Sequence, residues 1–187
     1  MHELAEREDV IGLALHVDYW DYIGWKDPFG NAAHAARQRA YAMAGHRKTI
    51  YTPEMIVAGQ TDVVGARPMK LARAIADHAR MPAKVALDAR RDGGTLDLDL
   101  KAIQALDGKV VIHIVTYSPL ETTQIKRGEN AGRTLKYANV VRDWRVAGQW
   151  DGASDFTAQY EVPNDAPLVV IVQQDQAGPI LAAKRLR

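Results

Sequence analysis

Hydrophobic positions in residues 1–82 form short continuous runs separated by helix-spaced stripes. Val10–Val17 is a near-continuous apolar run of strand length, which is typical of a strand buried on both faces. A second strand is predicted over Thr52–Val57, and Asp62–Val64 returns as its hairpin partner. Because helical stripes alternate with these strands, the pattern indicates an α/β layer arrangement.

Two helices are predicted in the same part of the chain. The first has Asp27 as its cap, Pro28 at its first position and its end near Met43. Gly45 suits the left-handed position just past that end. The second helix is opened by Pro68.

The period changes to two in residues 83–187, where apolar and polar positions alternate. We therefore divide the chain into an α/β domain over 1–82 and an antiparallel β-sandwich-like domain over 83–187. The predicted second domain begins with a hairpin that turns at 91–94 and continues with strands over Lys109–Tyr117, Leu135–Trp144, Ala158–Val162, Leu168–Gln173 and Pro179–Leu186.

Composition narrows the function classes. Lys and Arg number 24 against 23 for Asp and Glu, and this balance argues against a nucleic-acid partner. No apolar run approaches the roughly 18 residues of a membrane span. The absence of cysteine excludes disulfides and thiol catalysis by this chain. We expect no cofactor and no metal, assign no catalytic residue, and leave the cellular location open.

An aromatic loop after the first predicted strand is the best candidate site. It joins flat apolar rings to carboxylates at the end of a buried strand, where open α/β sheets place their ligands. The alternative is a hydrophobic plug between the two domains. The residues concerned are Asp18, Tyr19, Trp20, Asp21, Tyr22 and Trp25.

Two weaker candidates remain open. His16 and Asp18 are two apart, so in an extended strand they share a face and could hold a metal or act as acid and base. The loop 127–133 could present Asn130 and Arg133, together with nearby Arg142, as an anion or partner site, or could be an ordinary hairpin loop.

Several stretches resemble the domain of unknown function 1223 family. The long first motif is specific, and the resemblance spans nearly the whole chain. The stretches are residues 16–29 (HVDYWDYIGWKDPF), Ala36–Tyr41, Tyr51–Val57, 128–135 (GENAGRTL), Asn139–Asp143 and Trp150–Gly152.

The resemblance implies a thioredoxin-like first half in proteins that are often exported from bacteria and have no firmly assigned activity. It implies that the Thr52–Pro53 bond is cis and that Thr52 offers backbone groups to an extended substrate. The alternative is a trans proline that simply starts an edge strand.

The chain departs from the family pattern at its start. Family members usually begin with a strand and a Cys-x-x-Cys motif, whereas Met1 here falls inside the tail of the expected helix. We therefore expect an N-terminally truncated thioredoxin-like fold, with exposed strand edges that favour self-association. A partner chain, a C-terminal strand or a rearranged sheet are the alternatives for filling the gap.

These observations lead to three functional hypotheses. The first is a redox-inactive protein that binds an extended peptide or protein partner at the cleft formed by Asp18, Tyr19, Trp20, Trp25, Thr52 and Pro53. The second is a fragment of an exported thiol-disulfide oxidoreductase whose Cys-x-x-Cys lies upstream of Met1. The third is a hydrolase or metal enzyme that uses His16 and Asp18. Whether the protein is an enzyme stays open.

Overall fold

The computed structural model describes residues 2–65, 67–125, 127, 131–175 and 177–187. Its helices are α1 (His2–Ala5), α2 (Ala32–Ala44) and α3 (Pro68–Ala79), with a single 3-10 turn over Asp21–Ile23. Its strands are β1 (Glu54–Val57), β2 (Thr61–Val64), β3 (Val85–Asp92), β4 (Thr95–Ala102), β5 (Val110–Gln124), β6 (Thr134–Trp150), β7 (Phe156–Glu161), β8 (Leu168–Gln174) and β9 (Ile180–Leu186).

The strands form three antiparallel sheets. Their orders are β1-β2, β3-β4-β7 and β6-β5-β8-β9. Strand accounts for 43% of the structure and helix for 18%. The predicted α/β thioredoxin-like fold is therefore wrong, because the described strands form no parallel sheet between helical layers.

The two larger sheets share a core. Leu96, Leu98 and Leu100 of β4 alternate with acidic residues and are at most 2% exposed. They pack with Ile112 and Ile114 from β5 of the four-stranded sheet. The hairpin of β3 and β4 forms where the period-two pattern predicts it, and Gly93 supplies the positive φ of its turn.

The four-stranded sheet is covered on both faces. Val170 of β8 faces the core shared with β4, while Val169 and Ile171 face a second cluster. Leu13 and Leu15 pack on that second cluster. Burial on both faces explains why β8 is apolar at consecutive positions.

The predicted strand Val10–Val17 does not form. The segment is extended and makes one parallel bridge, from Ala14 to Val140 of β6. A strand needs a ladder of hydrogen bonds along an edge. This segment has such contacts at one point only, so the apolar run is half-buried instead of enclosed in a sheet.

The start of the first long helix was also predicted wrongly. Asn31, and not Asp27, caps α2, with its Oδ1 accepting a hydrogen bond from Ala33 N–H at 2.9 Å. The prediction for Gly45 was wrong as well, since its φ is −84°. The left-handed residue after the helix is His46, with φ 55°. The second long helix begins at Pro68 as predicted.

No helix in the described ranges is long and apolar enough to cross a membrane. The division at residue 82 into two domains stays a prediction. Asn130 of the candidate anion site lies outside the described residues, and that site stays a prediction.

Candidate functional site

An open cleft of about 830 Å³ separates the extended segment 10–17 from β1. Its volume is within the range of small-ligand and peptide pockets. Both flanking segments line it, and helices α2 and α3 also contribute side chains. The sides of the cleft are two lengths of backbone that do not pair with each other.

The first side is the segment 10–17. Among the described residues, its backbone groups form hydrogen bonds at even-numbered positions. Ala14 N–H donates to Asn139 O at 2.8 Å, and Ala14 O accepts from Val141 N–H at 2.9 Å. Gly12 O accepts from the Asn139 side chain at 2.8 Å. Within the described chain, no backbone hydrogen bond is made by the intervening residues Ile11, Leu13, Leu15 and Val17. Since alternate residues of an extended chain direct their backbone groups to opposite edges, these groups form an unpaired edge.

The second side is the outer edge of β1. Gly65 N–H donates to Pro53 O at 2.9 Å. Hydrogen-bonded pairs alternate along an antiparallel ladder, so Met55 directs its backbone groups to β2, while Glu54 and Ile56 direct theirs away from it. Apart from β2, no described residue hydrogen-bonds the backbone of Glu54 or Ile56. The cleft therefore has an unpaired backbone edge on each side.

The cleft is bridged at both ends. At one end, Trp20 Nε1–H donates to Thr52 Oγ1 at 3.0 Å, and this contact is exposed. At the other end, Ile180 N–H donates to Ala58 O at 2.8 Å. These two bridges limit the length of the free β1 edge to the residues between 52 and 58.

The structure brings together four of the six predicted site residues. Trp20, Trp25, Thr52 and Pro53 all line the cleft, and the Thr52–Pro53 bond is cis as the resemblance implies. Asp18 is not among the lining residues, and Asp18 O accepts a backbone hydrogen bond from the 3-10 turn.

Tyr19 lies behind the cleft wall. Its hydroxyl donates to Gln38 Oε1 at 2.9 Å, and Gln38 lines the cleft. The amide of Gln38 donates in turn to Glu54 Oε2 at 2.6 Å. Burial raises the pKa of Tyr19 against the opposing effect of its hydrogen bond to Gln38, so the phenol stays protonated. Tyr19 therefore holds α2 and β1 in place and does not face the cleft.

His16 pairs with Asp27, which the sequence analysis placed as a helix cap and not as a partner of His16. Its Nδ1 lies 2.6 Å from Oδ2 of Asp27, whereas the predicted partner was Asp18. Burial acts to raise the pKa of Asp27, but hydrogen bonds from His16 and from Phe29 N–H outweigh it and hold the pKa below its usual range. No group of three or more potential ligands suited to a metal occurs among the described residues.

A polar cluster on α2 was missed by the sequence analysis. Arg37 Nη2 donates to Gln173 Oε1 at 2.6 Å and to Tyr41 OH at 2.8 Å, and its guanidinium lies 3.7 Å from the ring centre of Trp144. Burial lowers the pKa of Arg37. The signal available in the sequence was the polar residue Gln173 at the end of the apolar run of β8. The structure shows that Gln173 is fully buried.

A buried histidine lies next to this cluster. His113 of β5 is 2% exposed, and neither ring nitrogen has a hydrogen-bond partner in the described chain. Its ring meets Trp144 edge-on at 5.6 Å. Burial and the nearby charge of Arg37 lower the pKa of His113 to about 4, so the ring is neutral at neutral pH.

Comparison with known proteins gives a family and a fold. A family model described as "Protein of unknown function (DUF1223)" matches residues 1–173. The crystal structure of a protein from Agrobacterium tumefaciens is similar, with a TM-score of 0.80 and 26% identity over 99% of this chain and 83% of that one. No curated protein matches this chain.

Proposed function

Because the chain belongs to the DUF1223 family, whose function is unknown, we propose a function from the cleft alone: it binds an extended segment of a partner polypeptide by strand addition. In strand addition, the backbone of the bound segment supplies the hydrogen bonds that a sheet edge lacks. Affinity then comes from main-chain pairing and specificity from side-chain pockets.

The observation that carries this proposal is the pair of facing unpaired edges. Each edge presents N–H donors and C=O acceptors in alternation, from Leu13 and Leu15 on one side and from Glu54 and Ile56 on the other. An extended peptide backbone carries the same alternation on both of its own edges. It is therefore electrostatically complementary to both sides at once.

The lining supports the same occupant. Ile56, Leu71 and Ile171 are apolar side chains that contact the cleft space. Burying apolar surface contributes roughly 25 cal/mol per Å² of area removed from water. A bound strand would cover these side chains and complete the backbone hydrogen bonds in one step.

Four of the predicted site residues then lie at one end of the bound segment. Trp20 and Thr52 form the bridge across that end, with Trp25 and Pro53 beside them. We assign these four residues to partner contact, Asp18 to the support of the loop, and Tyr19 to the support of α2 and β1.

N-methylated peptides test the backbone claim. A soluble peptide with a central valine and isoleucine run is titrated into the protein and followed by tryptophan fluorescence. Two matched peptides carry N-methyl groups, one at the odd and one at the even central positions. Because each set removes the donors for one edge, we expect both to bind at least about tenfold more weakly. Equal binding by all three peptides would contradict strand addition.

A variant tests the same edge from the protein side. Ile56→Pro removes an N–H that faces the cleft and leaves the bonds to β2 in place, because proline is tolerated on a free edge. Ile56→Ala is the matched control, since it also removes the side chain but keeps the N–H. We expect Ile56→Pro to bind the peptide at least about tenfold more weakly than Ile56→Ala, with both variants folded by circular dichroism.

Sedimentation velocity separates a partner from a second copy of the chain. A monomer that binds the peptide fits the proposal. A dimer that dissociates as peptide is added would mean that the edges of two copies occupy each other's clefts.

A further inference from the structure

The two faces of the β1–β2 hairpin are directed toward different helices. Side-chain contacts show that one face is directed toward α2 and the other toward α3. Glu54 and Asp62 are on one face: Glu54 accepts from Gln38 of α2, and Asp62 lies 3.6 Å from Arg47, just after α2. Thr61 is on the other face, where its hydroxyl lies 2.9 Å from His78 Nε2 of α3. Side chains alternate along a strand. A strand added beside β1 therefore directs alternate side chains toward α2 and toward α3.

The chamber on the α2 side is lined mostly by apolar surface, and the indole Nε1 of Trp144 is buried without a hydrogen-bond partner among the described residues. The four-stranded sheet provides Trp144, Val169 and Ile171 as lining residues there. Arg37 also lines the cleft, and its guanidinium donates to Gln173 and Tyr41. This chamber suits an apolar side chain.

The chamber on the α3 side is apolar as well. Leu71 and Ile75 of α3 line it. The side chains of Met55 and Val57 of β1 lie on the same face of the hairpin as that of Thr61. On the segment 10–17, the residues that alternate with those packed on the sheet include Gly12 and Ala14, whose small side chains leave space on this side. This chamber also suits an apolar side chain.

We infer that the cleft selects a segment that is apolar at every position over about five residues, and not one that alternates apolar and polar residues. The inference rests on the proposed function and specifies its ligand class. A strand enclosed on both faces is an almost continuous run of apolar residues, because neither face meets water. The length follows from the bridges at Thr52 and Ala58, which leave about five residues of free edge at roughly 3.3 Å per residue.

Three peptides of equal charge test the inference on the unaltered protein. Each has five central residues between lysine pairs. The first is Val-Ile-Val-Ile-Val, the second Val-Asn-Val-Asn-Val and the third Asn-Val-Asn-Val-Asn. Replacing two or three buried apolar side chains should weaken binding by roughly a hundredfold or more, so only the first peptide should bind tightly.

The outcomes distinguish failure of the selectivity inference from failure of strand addition itself. If either alternating peptide binds within about fivefold of the continuous one, the selectivity inference is overturned while strand addition stands. If no peptide binds, the proposed function itself fails. Tight binding of the continuous peptide alone supports both.

Two variants on one helix give a second readout. Ile75→Asn places a polar group in the α3 chamber, whereas Met69→Asn changes a residue that is 82% exposed on the same helix. We expect Ile75→Asn to weaken binding of the continuous peptide at least about tenfold. Met69→Asn should leave the affinity within about twofold of that of the unaltered protein. Equal effects of the two substitutions would contradict an apolar chamber under α3.

Discussion

The two longest apolar runs of the protein have the same sequence character and different environments. Leu168–Val172 lies inside β8, is at most 3% exposed and pairs with β5 and β9 along both edges. Val10–Val17 is half-buried and touches β6 through one bridge. Apolar content alone therefore does not make a strand. The difference is the presence of a neighbour on each edge, and the cleft marks the position where one neighbour is lacking in the described structure.

The largest expected effect comes from the same substitution made in each run. Leu168→Ala removes a fully buried side chain and should lower the free energy of unfolding by about 4 kcal/mol. Leu15→Ala removes a half-buried one and should cost about 1 kcal/mol, because the cleft already admits water. Urea denaturation of both variants measures the two values. Equal losses would mean that the runs are equally enclosed.

A pH effect should come from His113, on the face of the four-stranded sheet toward the cleft. Its pKa of about 4 in the folded protein lies below the ordinary value of 6.5, so the unfolded chain binds the proton more tightly. The contribution of His113 to the free energy of unfolding is fully present above pH 6.5. It falls by roughly 3 kcal/mol as the pH decreases toward 4. His113→Leu should flatten that part of the stability profile, and His2→Leu, at an exposed position, should not.

Hydrogen exchange should separate the two runs amide by amide. The amide of Val170 lies in a ladder paired on both sides, whereas those of Leu13 and Leu15 face the cleft without partners among the described residues. We expect Leu13 and Leu15 to exchange roughly a hundredfold faster than Val170. Addition of the continuous peptide should slow their exchange and leave that of Val170 unchanged. Slow exchange in the free protein would contradict an open edge.

The smallest effect is expected at the exposed bridge. Trp20→Phe keeps an aromatic ring but removes the hydrogen bond to Thr52, and should cost less than about 1 kcal/mol of stability. Thr52→Val removes the same bond from the other side, so the double variant should be no less stable than the single ones. Additive losses in thermal denaturation would show that the bond does not join the two residues in solution.

The sequence predicted the local elements of the second half well. The hairpin of β3 and β4 follows from alternation and a short turn, whereas β8 and β9 follow from a continuous apolar run and the turn residues after it. The first half was predicted less well. Asp27 and Asn31 are both good caps, and the choice between them depends on the contact of Asp27 with His16.

The cleft itself depends on contacts that sequence spacing does not encode. Trp20 meets Thr52 across 32 positions, and Arg37 meets Gln173 across 136. The resemblance to a family supplied Thr52 and Pro53 as candidates, and the aromatic pattern supplied Trp20 and Trp25. The fold class carried over with the resemblance was wrong, because the described strands pair only antiparallel. The oxidoreductase hypothesis stays a prediction.

The turn after β1 fixes one end of the cleft. Gly59 has φ 71°, and a Cβ there would clash with Gly178 O in the turn between β8 and β9. The two turns are thus in backbone contact at one end of the cleft, while the side chains of Trp20 and Thr52 join the other end. The cleft is therefore closed by backbone at the Gly59 end and by side-chain hydrogen bonds at the Thr52 end. A larger residue at position 59 would push these two turns apart and so disturb this end of the cleft.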